Sequence, residues 1–210
     1  MGLFDFLKPK SKDILDDPSL TPSMRKVMLA MELEYTTKEA ANLMEVGREG
    51  EANDQKIRFL LKCLQESHRN SDQPSGMRLF ANAAMKLGLL ELGEKSLIAV
   101  TEAWDRNRVI DLTLILTDLG RIYHQMGDRP EKELAAYTLA IKCDAPRNCK
   151  YPASPADKAK AHNFAFLCAR RTNQHDQALH HDEMRRKLIP DLDWDDRLAV
   201  IGGYSLNSYG

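Results

Sequence analysis

Cysteine is scarce in this sequence: Cys63, Cys143, Cys149 and Cys168 are the only four in 210 residues, and none forms a Cys-x-x-Cys pair. That pattern holds no zinc-ribbon or dithiol redox motif. Three of the four stand among apolar residues at helical spacing, where a thiol behaves as a small hydrophobe. The reading is a reduced, cytoplasmic protein, with a Cys143–Cys149 disulfide as the alternative. No apolar run approaches the ~20 residues needed to span a bilayer, so no transmembrane segment is expected. The start Met1-Gly-Leu-Phe-Asp-Phe-Leu-Lys is short and interrupted and has no small-residue cleavage site, unlike a signal peptide. Net charge is −1 with 29% charged residues, which indicates neither a nucleic-acid footprint nor an acidic tail. A Gly-rich phosphate loop, a Walker pattern and Gly-x-Ser-x-Gly are all missing, and no cofactor is implied. No stretch alternates apolar and polar residues with period two for long enough to make a sheet.

What remains is helix. Apolar residues make up 43% of the chain, enough to bury a core at this length. Residues 1–20 form an N-terminal segment in which Leu3, Phe4, Phe6 and Leu7 precede Lys8, Lys10 and Lys12. That pattern fits an amphipathic anchor or, more simply, a segment that docks or frays. Phe6 stands where myristoylation of Gly2 would want Ser or Thr. Thr21-Pro22 starts a helix whose buried face is expected to carry Met24, Val27, Met28, Met31 and Tyr35. Thr36 and Glu39 match a capping box, which predicts a second helix with Ala40, Leu43, Met44 and Gly47 on one side. A break at Gly50 follows, and Ile57, Leu60, Leu61 and Leu64 then return as the second arm of a hairpin.

Ser67–Gly76 reads as a polar linker. The second hairpin runs from Leu79 to Leu87 and back through Leu97, Val100, Thr101 and Trp104, with Gly93 in its turn. The third is the clearest: Leu112 to Met126 outbound, Gly127-Asp128 as the stop, Pro130 in the first turn of the return, then Leu134 to Ile141. Ser154-Pro155 opens the fourth, which returns through Ala178, Leu179, Met184 and Leu188 and closes at Pro190. Asp195 and Asp196 cap a short helix over 198–201, and 202–210 is an uncharged tail. One α-helical domain over 21–201 is expected.

Four consecutive hairpins suggest a repeat. Leu119-Gly120-x-x-Tyr123-x-x-x-Gly127-Asp128, followed by Ala140-Ile141 and Pro146, resembles the tetratricopeptide repeat. Asn163-Phe164-Ala165, Leu167-Cys168 and Gln177-Ala178-Leu179 resemble a second copy, and Asn42-Leu43 with Gly50, Ile57 and Cys63-Leu64 a degenerate third. The likeness covers roughly 36–189 and is most specific over 112–189. The sequence also departs from the family. Lys56 and Glu133 stand where a small residue is usual, and Asn42, Asn82, Asp118 and Asn163 are spaced by 40, 36 and 45 residues against about 34. A non-repetitive helical bundle is the alternative fold.

The resemblance implies an all-α fold of stacked antiparallel hairpins, a right-handed α-solenoid with about four hairpins plus an N-terminal helix and a short C-terminal helix. It also implies a concave groove that binds another protein. The groove positions would be Lys38, Asn42, Glu45 and Arg48; Arg78, Asn82 and Lys86; Thr117, Asp118, Arg121 and His124; and His162, Asn163, Phe166 and Arg170. Basic residues outnumber acidic ones there, which suggests an acidic peptide or carboxylate-bearing partner. The competing account is a solvated helix face or, for Phe166, burial against a neighbouring helix.

A non-catalytic adaptor or chaperone-like scaffold is the expected function. A bacterial immunity protein that neutralises a toxin by binding is the second expectation. A metal-dependent enzyme is the third, resting on His175, Asp176, His180 and His181. Without a His-x-x-x-His pair or a nearby Cys ligand, that cluster reads better as a polar helix face. Asp191-x-Asp193-x-Asp195 imitates half a calcium loop but has Asp196 and Gly202 where Gly and Glu are needed.

Overall fold

The computed structural model describes residues 17, 19–69, 73–103, 111–143, 149 and 152–194. The expected N-terminal anchor, the helix over 198–201 and the tail lie outside them. The described residues form eight α-helices and no strand. None of these helices is long and apolar enough to cross a membrane. The chain groups into two compact units, Met1–Leu87 and Gly88–Gly210, which are taken in turn.

The first unit holds α1 (Pro22–Glu45), α2 (Glu49–Arg69) and α3 (Gln73–Lys86), each packed on the next. Thr21 caps α1, its hydroxyl accepting from the Met24 N–H at 3.2 Å, and Pro22 occupies the first turn where its missing N–H costs nothing. The capping box at Thr36 does not form, because α1 runs straight through it. Thr37 instead donates its hydroxyl to the Leu33 carbonyl at 2.8 Å, the back-bond that threonine makes inside a helix. With no Gly or Pro between Ser23 and Val46, extending the helix avoids the cost of a second nucleation.

The stop comes at Gly47, in the left-handed region at φ 73°. Arg48 N–H reaches the Leu43 carbonyl at 2.8 Å and Gly47 N–H the Met44 carbonyl at 3.1 Å, which makes a Schellman turn. Gly50 therefore lies inside α2 rather than in a break. Likewise α2 and α3 take up most of the expected linker and leave only 70–72 between them.

The buried side of α1 is also not the expected one. Leu29, Thr36 and Ala40 are buried, and Ala52, Phe59, Leu60 and Cys63 are buried on α2. Met24, Val27, Met31 and Tyr35 are 51, 60, 68 and 63% exposed. At 3.6 residues per turn that stripe lies roughly 150° around the helix from the buried one. Two links between α1 and α2 hold the hairpin: Arg25 Nε donates to buried Glu66 at 2.7 Å, and Lys62 pairs with Glu32.

The second unit holds α4 (Leu90–Ala103), α5 (Leu112–Met126), α6 (Pro130–Lys142), α7 (Pro155–Arg171) and α8 (His175–Leu188), each packed chiefly on its chain neighbours. Gly93 lies within α4, and the preceding turn is made by Gly88 at φ 75°. α5 is the central helix, with Thr113 and every residue from Ile115 to Tyr123 buried.

Gly120 of α5 is required by packing. A Cβ there would stand 2.4 Å from Tyr137 Cε1 on α6, and Tyr137 in turn stacks on Phe164 of α7 at 5.4 Å between centroids. Three successive helices thus pack through one small residue and two rings. Asp111 caps α5 through one carboxylate oxygen (Thr113 N–H, 2.8 Å) and holds the strand of chain before α7 with the other (Ala153 N–H, 2.8 Å). At the start of α7, Ser154 and Asp157 form a full capping box.

Four of the turns between helices share one backbone device. Left-handed residues fall at Gly47, Gly88, Gly127 and Asn173, and Asn173, at φ 59°, is the one non-glycine among the described residues. Its turn repeats the bonding at Gly47, with Gln174 N–H on the Ala169 carbonyl and Asn173 N–H on that of Arg170. Asparagine tolerates this conformation better than other L-residues.

Candidate functional site

The fifteen expected groove residues divide between the units, and the structure treats them unequally. In the first unit Lys38, Asn42, Glu45, Arg48 and Lys86 are exposed, while Arg78 and Asn82 are half-buried. Lys38 lies 2.8 Å from Glu34 one turn earlier, and Arg48 forks onto Glu51. Much of the positive charge counted along the sequence is therefore balanced locally. The four apolar side chains of α1 are each more than half exposed, and α1 bears them on the same side as Lys38 and Asn42.

In the second unit, five of the expected groove residues are not at the surface. Thr117, Asp118, Arg121, His162 and Asn163 are all buried. Thr117 donates its hydroxyl back to the Thr113 carbonyl at 2.7 Å. Arg121 pairs with Asp118 at 3.2 Å inside the unit. Neither could read a partner, and reversing the charge of Arg121 would put two carboxylates together in the interior. Only His124, Phe166 and Arg170 keep accessible surface there.

Three further polar assemblies lie in this unit, and two of them hold His162 and Asn163. The first centres on Glu133, one of the family departures. Its buried carboxylate pairs with Arg171 of α7, and His124 Nδ1 of α5 stands 3.2 Å from Oε1. The same Nδ1 is 2.8 Å from Arg171 Nη1, so the ring either donates to the carboxylate or accepts from the guanidinium. Burial pushes the Glu133 carboxyl up, but hydrogen bonds from His124 and Arg171 outweigh it and hold the group below its ordinary value. Helices on both sides supply the partners of this buried acid.

The second is a histidine pair between α7 and α8. His162 and His181 are both buried, with their Nδ1 atoms 3.1 Å apart, and the His180 ring stands 5.4 Å from that of His181. One ring must donate Nδ1–H and the other accept, which requires the acceptor to lack a proton on that nitrogen. Burial, with the nearby charges of His181, His180 and Lys158, brings His162 down to about 4. His181 is lowered too, mainly by burial and then by His180.

The third is built on Arg185 of α8. It donates to Asn163 and pairs with Asp182, and its guanidinium carbon lies 4.0 Å from the Phe166 ring centre and 5.2 Å from that of Trp194. Arg170 approaches Phe166 as well, at 5.6 Å. Phe166 thus serves as a platform for arginines. Arg185 and Trp194 were not picked out from the sequence, although a tryptophan among aspartates directly after the closing Pro190 is a visible signal.

The metal reading finds no geometry. His181 turns inward to His162 while His175, Asp176 and His180 are exposed. Among the described residues no three His, Cys, Asp or Glu side chains come together to hold a metal ion. Cys168 is buried, its thiol directed at the Pro130 carbonyl at 3.6 Å and pushed up to about 11 by burial and the Glu133 charge, which leaves it a poor nucleophile. Cys143 and Cys149 are not joined by a disulfide. A shallow cavity of about 540 Å³ opens beside the turns, between Gly88–Leu92 and Gln125–Arg129, where Arg129 Nη1 holds both oxygens of Glu94 at 3.0 Å. No protein-family model, curated protein or solved structure matches the chain.

Proposed function

We propose that this chain is a non-catalytic protein-binding domain, an adaptor or chaperone-like scaffold of the tetratricopeptide-like class. Support for the class comes from the third hairpin. Gly120 lies under Tyr137, Gly127 ends α5 in the left-handed conformation, and Pro130 begins α6, as the repeat's packing logic requires.

The observation that carries the function is the face of α1. Met24, Val27, Met31 and Tyr35 follow offsets of 3, 4 and 4 and lie together on the surface, more than half exposed. Single exposed apolar residues need no explanation, but an aligned set on one helix face is the mark of an interaction site. They lie away from the buried face of α1 that carries Leu29 and Ala40. A partner that supplies apolar side chains at helical spacing would bury them, as helix-in-groove recognition does. The buried state of Thr117, Asp118, Arg121, His162 and Asn163 moves the recognition surface away from those positions.

Affinity capture with the full chain, run beside Met31→Glu, tests this reading. The expected result is a partner that binds the parent and is lost from the variant at unchanged thermal stability. Equal recovery on both would remove α1 from the account.

A further inference from the structure

The apolar stripe of α1 is nearly symmetric about its own middle. Taking position 29 as the centre, Met24 and Val27 stand five and two residues before it, and Met31 and Tyr35 two and six after it. At 1.5 Å per residue the stripe is about 16 Å long. Its two methionines carry flexible thioethers that adapt to an opposing surface. The Tyr35 hydroxyl donates to Glu39 one turn on, which leaves the ring to pack. A second stripe of the same kind, turned end for end, therefore matches the first.

The neighbouring charges select one direction. Glu34 and Lys38, at the C-terminal end of the stripe, pair with each other at 2.8 Å and so bring no net charge to the face. Two copies laid parallel would set Glu34 beside Glu34 and Lys38 beside Lys38, a juxtaposition that disfavours association. Laid antiparallel about position 29, they put Met24 opposite Tyr35 and Val27 opposite Met31, each pair occurring twice, and send the two Glu34–Lys38 pairs to opposite ends of the contact. Covering what the four side chains leave open removes roughly 500 Å² from each copy, about 1,000 Å² in all, which reaches the lower bound for a specific interface. The exposed stems of Glu34 and Lys38 add to that area.

We propose that the α1 face is a self-association surface, and that two copies of this chain pair through it as an antiparallel, isologous dimer. The inference rests on the reading of α1 as a binding face and names its partner, a second copy. An interface of this size supports a dimer that forms and parts at about micromolar concentration rather than a permanent one. The buried face of α1, which carries Leu29, Thr36 and Ala40, is not disturbed by it.

Sedimentation velocity of the full chain from about 1 to 200 μM, a range that brackets such an affinity, is expected to show the mass moving from one chain toward two. Val27→Lys and Met31→Glu alter exposed positions, so each should keep the parent's helical circular dichroism while weakening the dimer roughly ten-fold or more. Mixed in equal amounts, the two variants should recover it. The antiparallel crossing sets the new lysine against the new glutamate at one site and leaves Met31 opposite Val27 at the other. A parent chain that stays single throughout overturns the proposal; if Met31→Glu still loses a captured partner, α1 remains a binding face for a different protein. A dimer that neither variant weakens, or a mixture that fails to recover it, also overturns the proposal.

Discussion

Protonating the histidine pair between α7 and α8 should weaken the fold well before the carboxylates titrate. His162 falls from its ordinary 6.5 to about 4 in the folded protein. A group whose value is depressed by folding favours the folded state fully above its unfolded value, and that advantage is lost as pH falls toward the folded one. The window here is 6.5 down to 4. At pH 5 nearly every unfolded chain carries the proton on His162 and few folded chains do, which corresponds to about 2 kcal/mol lost relative to pH 8. His181 is shifted the same way, so the pair loses at least that much. Urea denaturation of the parent chain and of His162→Gln at pH 8, 6.5 and 5 measures the effect. The amide can still hydrogen-bond to His181 but cannot titrate. A parent chain losing about 2 kcal/mol or more across the series, and a variant losing markedly less, is the expected outcome. A flat profile in the parent, or the same slope in the variant, would refute the assignment of a buried neutral pair.

Other substitutions probe the packing. Gly120→Ala sets a methyl group against the Tyr137 ring in a well-packed interior, and a loss of about 3 kcal/mol is expected from forced displacement of that ring, read as a lowered melting temperature. Glu133→Gln removes the charge that gathers His124 and Arg171. Because Arg171 is 44% exposed and can rehydrate, the cost should stay near ~1–2 kcal/mol by chemical denaturation. Asp111→Ala deprives Thr113 and Ala153 of their acceptor, and should cost about 1–2 kcal/mol and raise hydrogen exchange at the start of α5.

The sequence was most readable where local chemistry settles the backbone. Pro130, Gly127, Ser154 and Pro155 mark ends that α5, α6 and α7 respect, because caps and stops act within a few residues. Thr36 misled because a cap signal has force only where a helix has already ended. The α1 stripe misled differently. Periodicity shows that Met24, Val27, Met31 and Tyr35 share a face, but burial needs a neighbour, and α2 packs on the side of Leu29 and Ala40 instead. Asn163 and His162 read as solvated because their partners Arg185 and His181 stand 22 and 19 residues away, a pairing that only the antiparallel register of α7 and α8 creates. Glu133 stood out as a departure from the repeat, yet its reason lies in Arg171, 38 residues on.

Hydrogen–deuterium exchange of the full chain, alone and with the partner recovered by capture, tests the central claim most directly. If α1 presents a binding face, amides over Met24–Tyr35 should gain protection in the complex, at least ten-fold at a saturating partner concentration. Unchanged exchange along α1, with protection confined to other helices, would contradict it.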